Sequence, residues 1–274
     1  MEAFVINYTR EVNNLSIQKL SYGAQTHFSV FTDTMVEMTW SEIRAAAQKG
    51  AMVLLPVGIV EAHGPHLDLS ADFYLSTLSC RYMKQELCEK GIEALITPPM
   101  YFGVSSDLAA YAGTFSVSPI TMKALLLDML RSLRSWGFTR VFLQNAHGDP
   151  THIDMIRKAI LEANELPGFH AYFMWDLDIV IDHDIIFPPM RKERFEPDYH
   201  AGAIETGQMA AFFPDKVRMD AAKAQQPSDS FHPLAYCGDP ASFDKEINMA
   251  AYMKADVQLD VLKIQAILLR DAKK

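Results

Sequence analysis

Glu61, His63, His66 and Asp72 crowd into one short stretch, Glu61-Ala62-His63-Gly64-Pro65-His66-Leu67-Asp68-Leu69-Ser70-Ala71-Asp72. Mixed carboxylates and imidazoles are the donors that Zn²⁺ or Mn²⁺ takes, as opposed to Ca²⁺ or a copper thiolate centre. Residues two apart in an extended loop point the same way, so Glu61 and His63 can converge while Ala62 faces away. Asp72 can swing its carboxylate over the same side, and its two oxygens can bridge two cations. The segment Gln144-Asn145-Ala146-His147-Gly148-Asp149 repeats the two-apart spacing with His147 and Asp149. A third segment, His200-Ala201-Gly202-Ala203-Ile204-Glu205-Thr206, adds His200 and Glu205. A single histidine after a strand is usually a packing or capping residue, whereas three ligand-rich loops in one chain point to a metal-dependent hydrolase. His66 is expected to orient a ligand or to face the substrate. His27, His152, His170, His183 and His232 lack any such pattern and are expected to be surface or packing residues.

The elements that must carry these loops alternate between strand and helix. Ala51–Val57 is apolar throughout, as in a buried parallel strand, and leads straight into Glu61. Before it, Ser41 is the expected N-cap of a helix that stops at Gly50. A helix over 72–90 follows the ligand loop and ends at Gly91; Glu93–Thr97 is the second strand. Ser118-Pro119 opens another helix, and Arg140–Leu143 is a third strand feeding into Asn145 and His147. A helix through Ile153, Ile156 and Ile160, a strand His170–Trp175 and a helix Ala203–Phe213 come next. Residues 224–242 are expected to be a Pro/Ser/Gly-rich loop, and 243–273 a long amphipathic helix. This rhythm predicts an α/β fold, a single domain whose mostly parallel sheet is flanked by helices on both faces. The expected division is an N-terminal extension over 1–38 and one domain over 39–274. Ligands on loops at the carboxyl ends of strands lie where open α/β sheets place their sites.

Bulk properties narrow the choices. The chain has 274 residues, 49% hydrophobic and 22% charged, an ordinary globular balance. A formal charge of −9 excludes nucleic acid as the expected partner. Cys80 and Cys88 lie eight residues apart on one expected helix, roughly 12 Å along its axis. That is too far for a disulfide, so these and Cys237 are expected to be buried free thiols. Glu2, Arg10 and Glu11 interrupt any signal-peptide-like core, and no apolar run reaches the ~20 residues of a membrane span. The expected compartment is a reducing cytoplasm, with no membrane partner. Arg191, Lys192 and Arg194 form a basic cluster before the third ligand segment that could meet an anionic or polyhydroxylated substrate, although a solvated surface run is the more ordinary role.

Leu55-Pro56-Val57-Gly58, followed by Glu61-x-His63-Gly64-x-His66-Leu67 and Asp72, resembles the signature of the creatininase (creatinine amidohydrolase) family. Asn145-x-His147-Gly148, His200-Ala201-Gly202-x-x-Glu205-Thr206 and Gly113-Thr114-Phe115-Ser116 are similar to further motifs of that family in content and order. The resemblance implies a single α/β domain, two divalent ions (Zn and/or Mn), a small-molecule substrate and a homo-oligomer, often a hexamer. By position it implies that Glu61, Asp72 and His147 hold one ion. His63 and Asp72 would hold the other, with either Asp149 or Glu205 completing it. It makes His200 the catalytic histidine, with Glu205 either orienting it or serving as a ligand, and Ser105 a substrate contact. Two ions ionise a shared water near neutral pH for attack on a carbonyl; His200 would carry the proton to the leaving nitrogen. The expected substrate is a small cyclic amide or a related carbonyl compound. The family also includes formamide deformylases, precursor-peptide proteases and ring-opening C–C hydrolases of inositol-derived diketones. Members that cleave creatinine flank their motifs with aromatic residues, whereas here Gly148 follows His147 and no Trp lies in 191–199.

Overall fold

The computed structural model of the chain describes residues 20–177, 198–243 and 248–271. The basic cluster at Arg191, Lys192 and Arg194 lies outside them, as does His183.

Six residues, Met52–Val57, form β1, and all six are buried. β2 (Ala94–Ile96) pairs with one edge of β1 and β3 (Arg140–Asn145) with the other; β4 (His170–Phe173) lies outside β3. All three pairings are parallel, with Val53 opposite both Leu95 and Val141. Alternate residues feed two cores. Val53, Leu55 and Val57 pack with α3 (Pro119–Ser135) and α4 (Pro150–Ala163). Met52 and Leu54 pack with α2 (Ala71–Glu89) and with the C-terminal helix Met249–Asp271. At about 1.5–3 kcal/mol for each fully buried aliphatic side chain, this double burial makes β1 the rigid base of the ligand loop. The expected α/β architecture with helices on both faces is what forms.

The chain moves from β1 outward to β2, then returns to the other side of β1 with β3. The strand order therefore reverses between β1 and β3. A crevice opens at such a point beyond the carboxyl ends of the strands, and both the 61–72 loop and the 145–149 loop leave the sheet there.

Several boundaries differ from the sequence-based expectation. Helix α1 is Trp40–Gln48, capped by Thr39 and not by Ser41. Thr39 N–H donates to Glu42 Oε2 at 2.7 Å and Glu42 N–H to Thr39 Oγ1 at 3.4 Å, a reciprocal capping box that Ser41 cannot form. The fourth strand stops at Phe173, because Met174–Asp176 turn into a 3₁₀ segment. α5 (Ala203–Phe212) and α6 (Met219–Lys223) precede a region expected to be all loop. That region holds a hairpin of β5 (Ser228–His232) and β6 (Tyr236–Gly238), pinned by buried Tyr236 and Cys237. Helix α7 is Met249–Asp271. Cys80 and Cys237 are buried free thiols as expected, but Cys88 is exposed.

Residues 20–38 pack on the body of the fold. Tyr82 donates its hydroxyl to Ser21 C=O at 2.8 Å, Gln25 N–H donates to Phe212 C=O at 2.7 Å, and Met35 is buried with the α3–α4 side.

Candidate metal centre

The ligand loop is built to a fixed shape before any ligand is considered. It leaves β1 through Gly58, whose N–H donates to Met100 C=O at 2.9 Å. A Cβ at Gly58 would lie 2.7 Å from the Phe73 backbone nitrogen and 2.9 Å from the Asp72 carbonyl carbon. Glycine therefore lets the first turn of α2 sit against the loop, which brings Asp72 over Glu61 and His63. The Gly-Thr segment props the other side: Phe115 N–H donates to Val60 C=O at 2.9 Å and Ala62 N–H to Thr114 Oγ1 at 3.0 Å. On the second loop Asn145 donates its amide N–H to His147 C=O at 2.6 Å, while its Oδ1 accepts the His147 N–H at 3.3 Å.

Three histidines share one arrangement. His63 Nδ1 is 3.0 Å from Glu61 C=O, His147 Nε2 is 2.8 Å from Val104 C=O, and His200 Nε2 is 2.8 Å from Ala62 C=O. A carbonyl only accepts, so in the neutral ring each of these nitrogens carries the proton and the opposite nitrogen a lone pair. Those lone pairs all turn inward. His147 Nδ1 lies 3.0 Å from Glu61 Oε1 and 3.2 Å from Asp72 Oδ2. His63 Nε2 lies 3.2 Å from Asp72 Oδ1 and 3.7 Å from Glu205 Oε1, and His200 Nδ1 lies 3.7 Å from Glu61 Oε1. Acceptor faces acceptor throughout, a repulsive arrangement that only a proton or a cation between them relieves. An imidazole that donates its outer N–H to a carbonyl while offering its inner nitrogen is the habit of a metal ligand.

Asp72 straddles the two halves, with one oxygen beside each of His63 and His147. Glu61, Asp72 and His147 present ligand atoms within 4.8 Å of one another, and so do His63, Asp72 and Glu205. Glu61, His63 and His200 make a third such group. With neutral imidazoles, both oxygens of Glu61 and Oδ2 of Asp72 are buried without a hydrogen-bond donor. Buried carboxylates left this way cost several kcal/mol each, so this donor set fits a pair of divalent cations.

The charges follow the same logic. Burial pushes the His63 ring down, but the Asp72 and Glu205 carboxylates outweigh it and hold it well above its usual value. Burial likewise opposes His147, yet its bonds to Asp72 and Glu61 raise it to about 10. Burial favours a neutral Asp72, and the two rings overcome that and hold its carboxyl well below the usual range. Carboxylates that attract protons this strongly attract a cation in their place. His200 differs: burial pushes it below its ordinary value, aided by His63, so it is neutral at pH 7.

Three expected site residues, Asp149, His66 and Ser105, fall outside the groups of ligand atoms. Asp149 turns away from the cluster and caps α4, its Oδ1 accepting from Thr151 N–H at 2.8 Å and His152 N–H at 2.9 Å. Its Oδ2 accepts from Ser106 N–H at 2.7 Å. Glu205, and not Asp149, shares a group of close ligand atoms with His63 and Asp72. His66 does not face a substrate space: it is wholly buried, with Nε2 2.9 Å from Thr206 Oγ1 and Nδ1 2.7 Å from Gln225 Nε2. Ser105 is buried too, and its hydroxyl accepts from Leu108 N–H at 3.3 Å.

Other residues join the site without a sequence signal. Phe231 on β5 is 43% exposed, and its ring lies 5.7 Å from that of His200, so it walls the open side. His152 is fully buried, meets the His147 ring edge-on at 4.7 Å, and is lowered to about 3 by burial and by His147. It is thus a packing residue, one of the two roles expected of it, set against His147.

Comparison with known proteins gives the chain's relatives. The creatinine amidohydrolase of Pseudomonas putida is 29% identical over 218 residues, 75% of this chain and 81% of that one. The mycofactocin precursor peptide peptidase of Mycobacterium ulcerans (strain Agy99) is 30% identical over 135 residues, 47% of this chain and 48% of the peptidase. The 3-dehydro-scyllo-inosose hydrolase of Thermotoga maritima is 24% identical over 69% of this chain and 59% of its own length. Among solved structures, "Creatininase Mn" superposes with a TM-score of 0.66 at 23% identity, covering 87% of this chain and 98% of that one. A Zn-Zn type creatininase variant reaches 0.65 at the same identity, covering 89% and 98%. Residues 36–253 match the family described as Creatininase: Creatinine amidohydrolase. A match over that much of the chain settles its kinship: the protein is a hydrolase of the creatininase family.

Proposed function

We propose that this chain is a binuclear metal hydrolase acting on a small cyclic amide or a related carbonyl compound. The observation that carries the reading is Asp72, whose two oxygens each lie 3.2 Å from a different inward-turned imidazole, His63 and His147. Glu61, Asp72 and His147 would hold one ion; His63, Asp72 and Glu205 the other. Bound there, the ions supply a water that is nucleophilic at neutral pH and a Lewis acid for the carbonyl.

The chain's own residues do the rest. His200 is neutral at pH 7, its Nε2–H fixed on Ala62 C=O and its Nδ1 free toward Glu61. It can take a proton at Nδ1 and return it to a leaving nitrogen. Glu205 has one oxygen held by the Ala201 N–H at 2.5 Å, which leaves Oε1 to face His63. Its side chain is 22% exposed, so it borders the space a substrate enters. Phe231 gives that space an apolar wall beside His200.

The similarity to the inosose hydrolase of Thermotoga maritima supports a second reading, in which the same centre opens a cyclic diketone at a C–C bond. A formamide deformylase remains the third member of the set. Homo-oligomeric assembly belongs to the same proposal, as does a cytoplasmic location. Among the described residues no helix is long and apolar enough to cross a membrane.

The deciding experiment is an activity screen of Zn²⁺- and Mn²⁺-loaded protein on lactams, cyclic imides, formamides and cyclic diketones, with elemental analysis of the same samples. The expected result is close to two ions per chain and metal-dependent hydrolysis of a cyclic amide. Turnover only of diketones selects the second reading. Full activity in metal-free protein refutes the proposal.

A further inference from the structure

His66, Thr206 and Gln225 form a buried chain of hydrogen bonds between segments 140 and 159 residues apart in sequence. Its polarity can be followed atom by atom. Gln225 donates its amide N–H to His66 Nδ1 at 2.7 Å, which makes Nε2 the protonated nitrogen. His66 Nε2–H then donates to Thr206 Oγ1 at 2.9 Å, and the Thr206 hydroxyl donates to Ala201 C=O at 3.5 Å. Ala201 sits at φ +50°, a left-handed conformation rare for a residue with a Cβ. That conformation lets its C=O receive Thr206 while its N–H holds Glu205 Oε2. His66 and Thr206 are each fully buried, and Gln225 is 7% exposed.

The two middle members of this chain adjoin two members of one ligand group. His66 is three residues after His63 on the loop, and Thr206 directly follows Glu205 on α5. Gly64, at φ +67°, makes room for the joint, because a Cβ there would lie 2.6 Å from His66 Nδ1. Backbone bonds continue the seam: Arg218 N–H donates to His66 C=O at 2.7 Å, and Leu67 bridges to Val217. The other group stands on β1, β3 and the start of α2, with His147 braced by Asn145 and Val104.

We propose that Gln225, His66 and Thr206 are positioning residues that hold α5 to the ligand loop and thereby set the spacing of His63 and Glu205, so that they govern ion affinity at that position alone. The inference rests on the binuclear reading above. Removing the Thr206 hydroxyl unlocks Ala201, and with it the carboxylate that Ala201 orients. The ion held by Glu61, Asp72 and His147 keeps all its supports.

The test is Mn²⁺ titration calorimetry on metal-free wild type, Thr206→Val, Thr206→Ser and Gln225→Leu, with circular dichroism as the folding control. Wild type is expected to bind two ions in two steps. Thr206→Val is expected to weaken the weaker step on the order of 10–100-fold, the usual scale for residues that orient ligands, and to leave the stronger step unchanged. Thr206→Ser is expected to restore it, since it keeps the hydroxyl and loses only a methyl. If Thr206→Val does not fold, Gln225→Leu carries the same comparison, with the same selective loss expected. Fewer than two ions in wild type overturns the binuclear reading itself. Two ions in wild type, with both steps of the folded variant unchanged or weakened alike, overturns the clamp and leaves that reading standing.

Discussion

The two ligand groups share Asp72 yet are held by different parts of the molecule. Glu61, Asp72 and His147 are no more than 5% exposed and grow from the ends of β1 and β3 and the first turn of α2. His63, Asp72 and Glu205 reach from a loop to α5, and Glu205 is partly open to solvent. One group inherits its rigidity from a doubly buried sheet; the other depends on side-chain hydrogen bonds across a loop. Were each group to hold an ion, as proposed, the sheet-rooted position would be the fixed one and the position at Glu205 the one with latitude to meet a substrate.

The largest effect is expected where the groups coincide. Asp72→Ala removes the one carboxylate common to both, so neither ion should be retained. Activity should fall more than 100-fold, since residues that only orient ligands already cost 10–100-fold. Elemental analysis alongside kcat/KM checks this. Retention of one full equivalent of metal would show that the groups are independent.

His200→Gln should separate chemistry from metal binding. Its Nδ1 is 3.7 Å from Glu61 Oε1, and its role in the proposed mechanism is proton transfer. The expected outcome is a fall in kcat of roughly 10²–10⁴-fold, with both ions kept. Loss of an ion with the activity would make His200 a ligand to the Glu61–His63 group instead.

Proton counting probes both groups at once. With protein atoms alone, His147 is raised to about 10 and His63 well above its usual value, so both are charged at pH 7. Ligation needs them neutral. Metal uptake at pH 7 should therefore release about two protons per chain, read from the buffer dependence of the calorimetric enthalpy. The linkage sign gives a second readout. A ring raised above its unfolded value stabilises the chelated protein fully below about pH 6.5. That contribution is lost as pH rises through the folded values, near 10 for His147. Chelated protein should lose melting temperature between pH 7 and 10; metal-loaded protein should not lose it in parallel. No proton release would mean that the inward-facing nitrogens are not where the ions bind.

Sequence made the sheet-rooted group legible and only part of the other. The apolar run 51–57 marks β1 and places the loop after it at the sheet's carboxyl end. Glu61, His63 and Asp72 then follow from short-range geometry. His66 could not be assigned the same way, because its partners Thr206 and Gln225 are distant in sequence and carry no periodic signal. Phe231 was hidden for a related reason: a stretch rich in Pro, Ser and Gly reads as loop, and only the burial of Tyr236 and Cys237 makes it a hairpin. Asp149 is the instructive case, since two legible patterns competed there. Its spacing from His147 imitates a ligand pair, while Asp149-Pro150 before an apolar helix is an N-cap with proline at N1.

That competition yields the smallest and sharpest effect. The Asp149 carboxyl is held below its usual range, against the opposing pull of burial, by the N–H groups of His152 and Ser106. It thus stabilises α4 and the Ser106 loop above its unfolded value near pH 4, and the contribution fades as pH falls further. Asp149→Ala should cost about 0.5–2 kcal/mol, the range for losing an N-cap, measured by urea unfolding of metal-free protein at pH 7. The loss should shrink as pH falls below the unfolded value near 4 and on through the lower folded value. Both metal equivalents should remain, because His147 is fixed by Asn145 and Val104 and not by Asp149. Loss of one ion with unchanged stability would reverse the assignment: Asp149 would be the ligand, and Glu205 the residue left to orient His200.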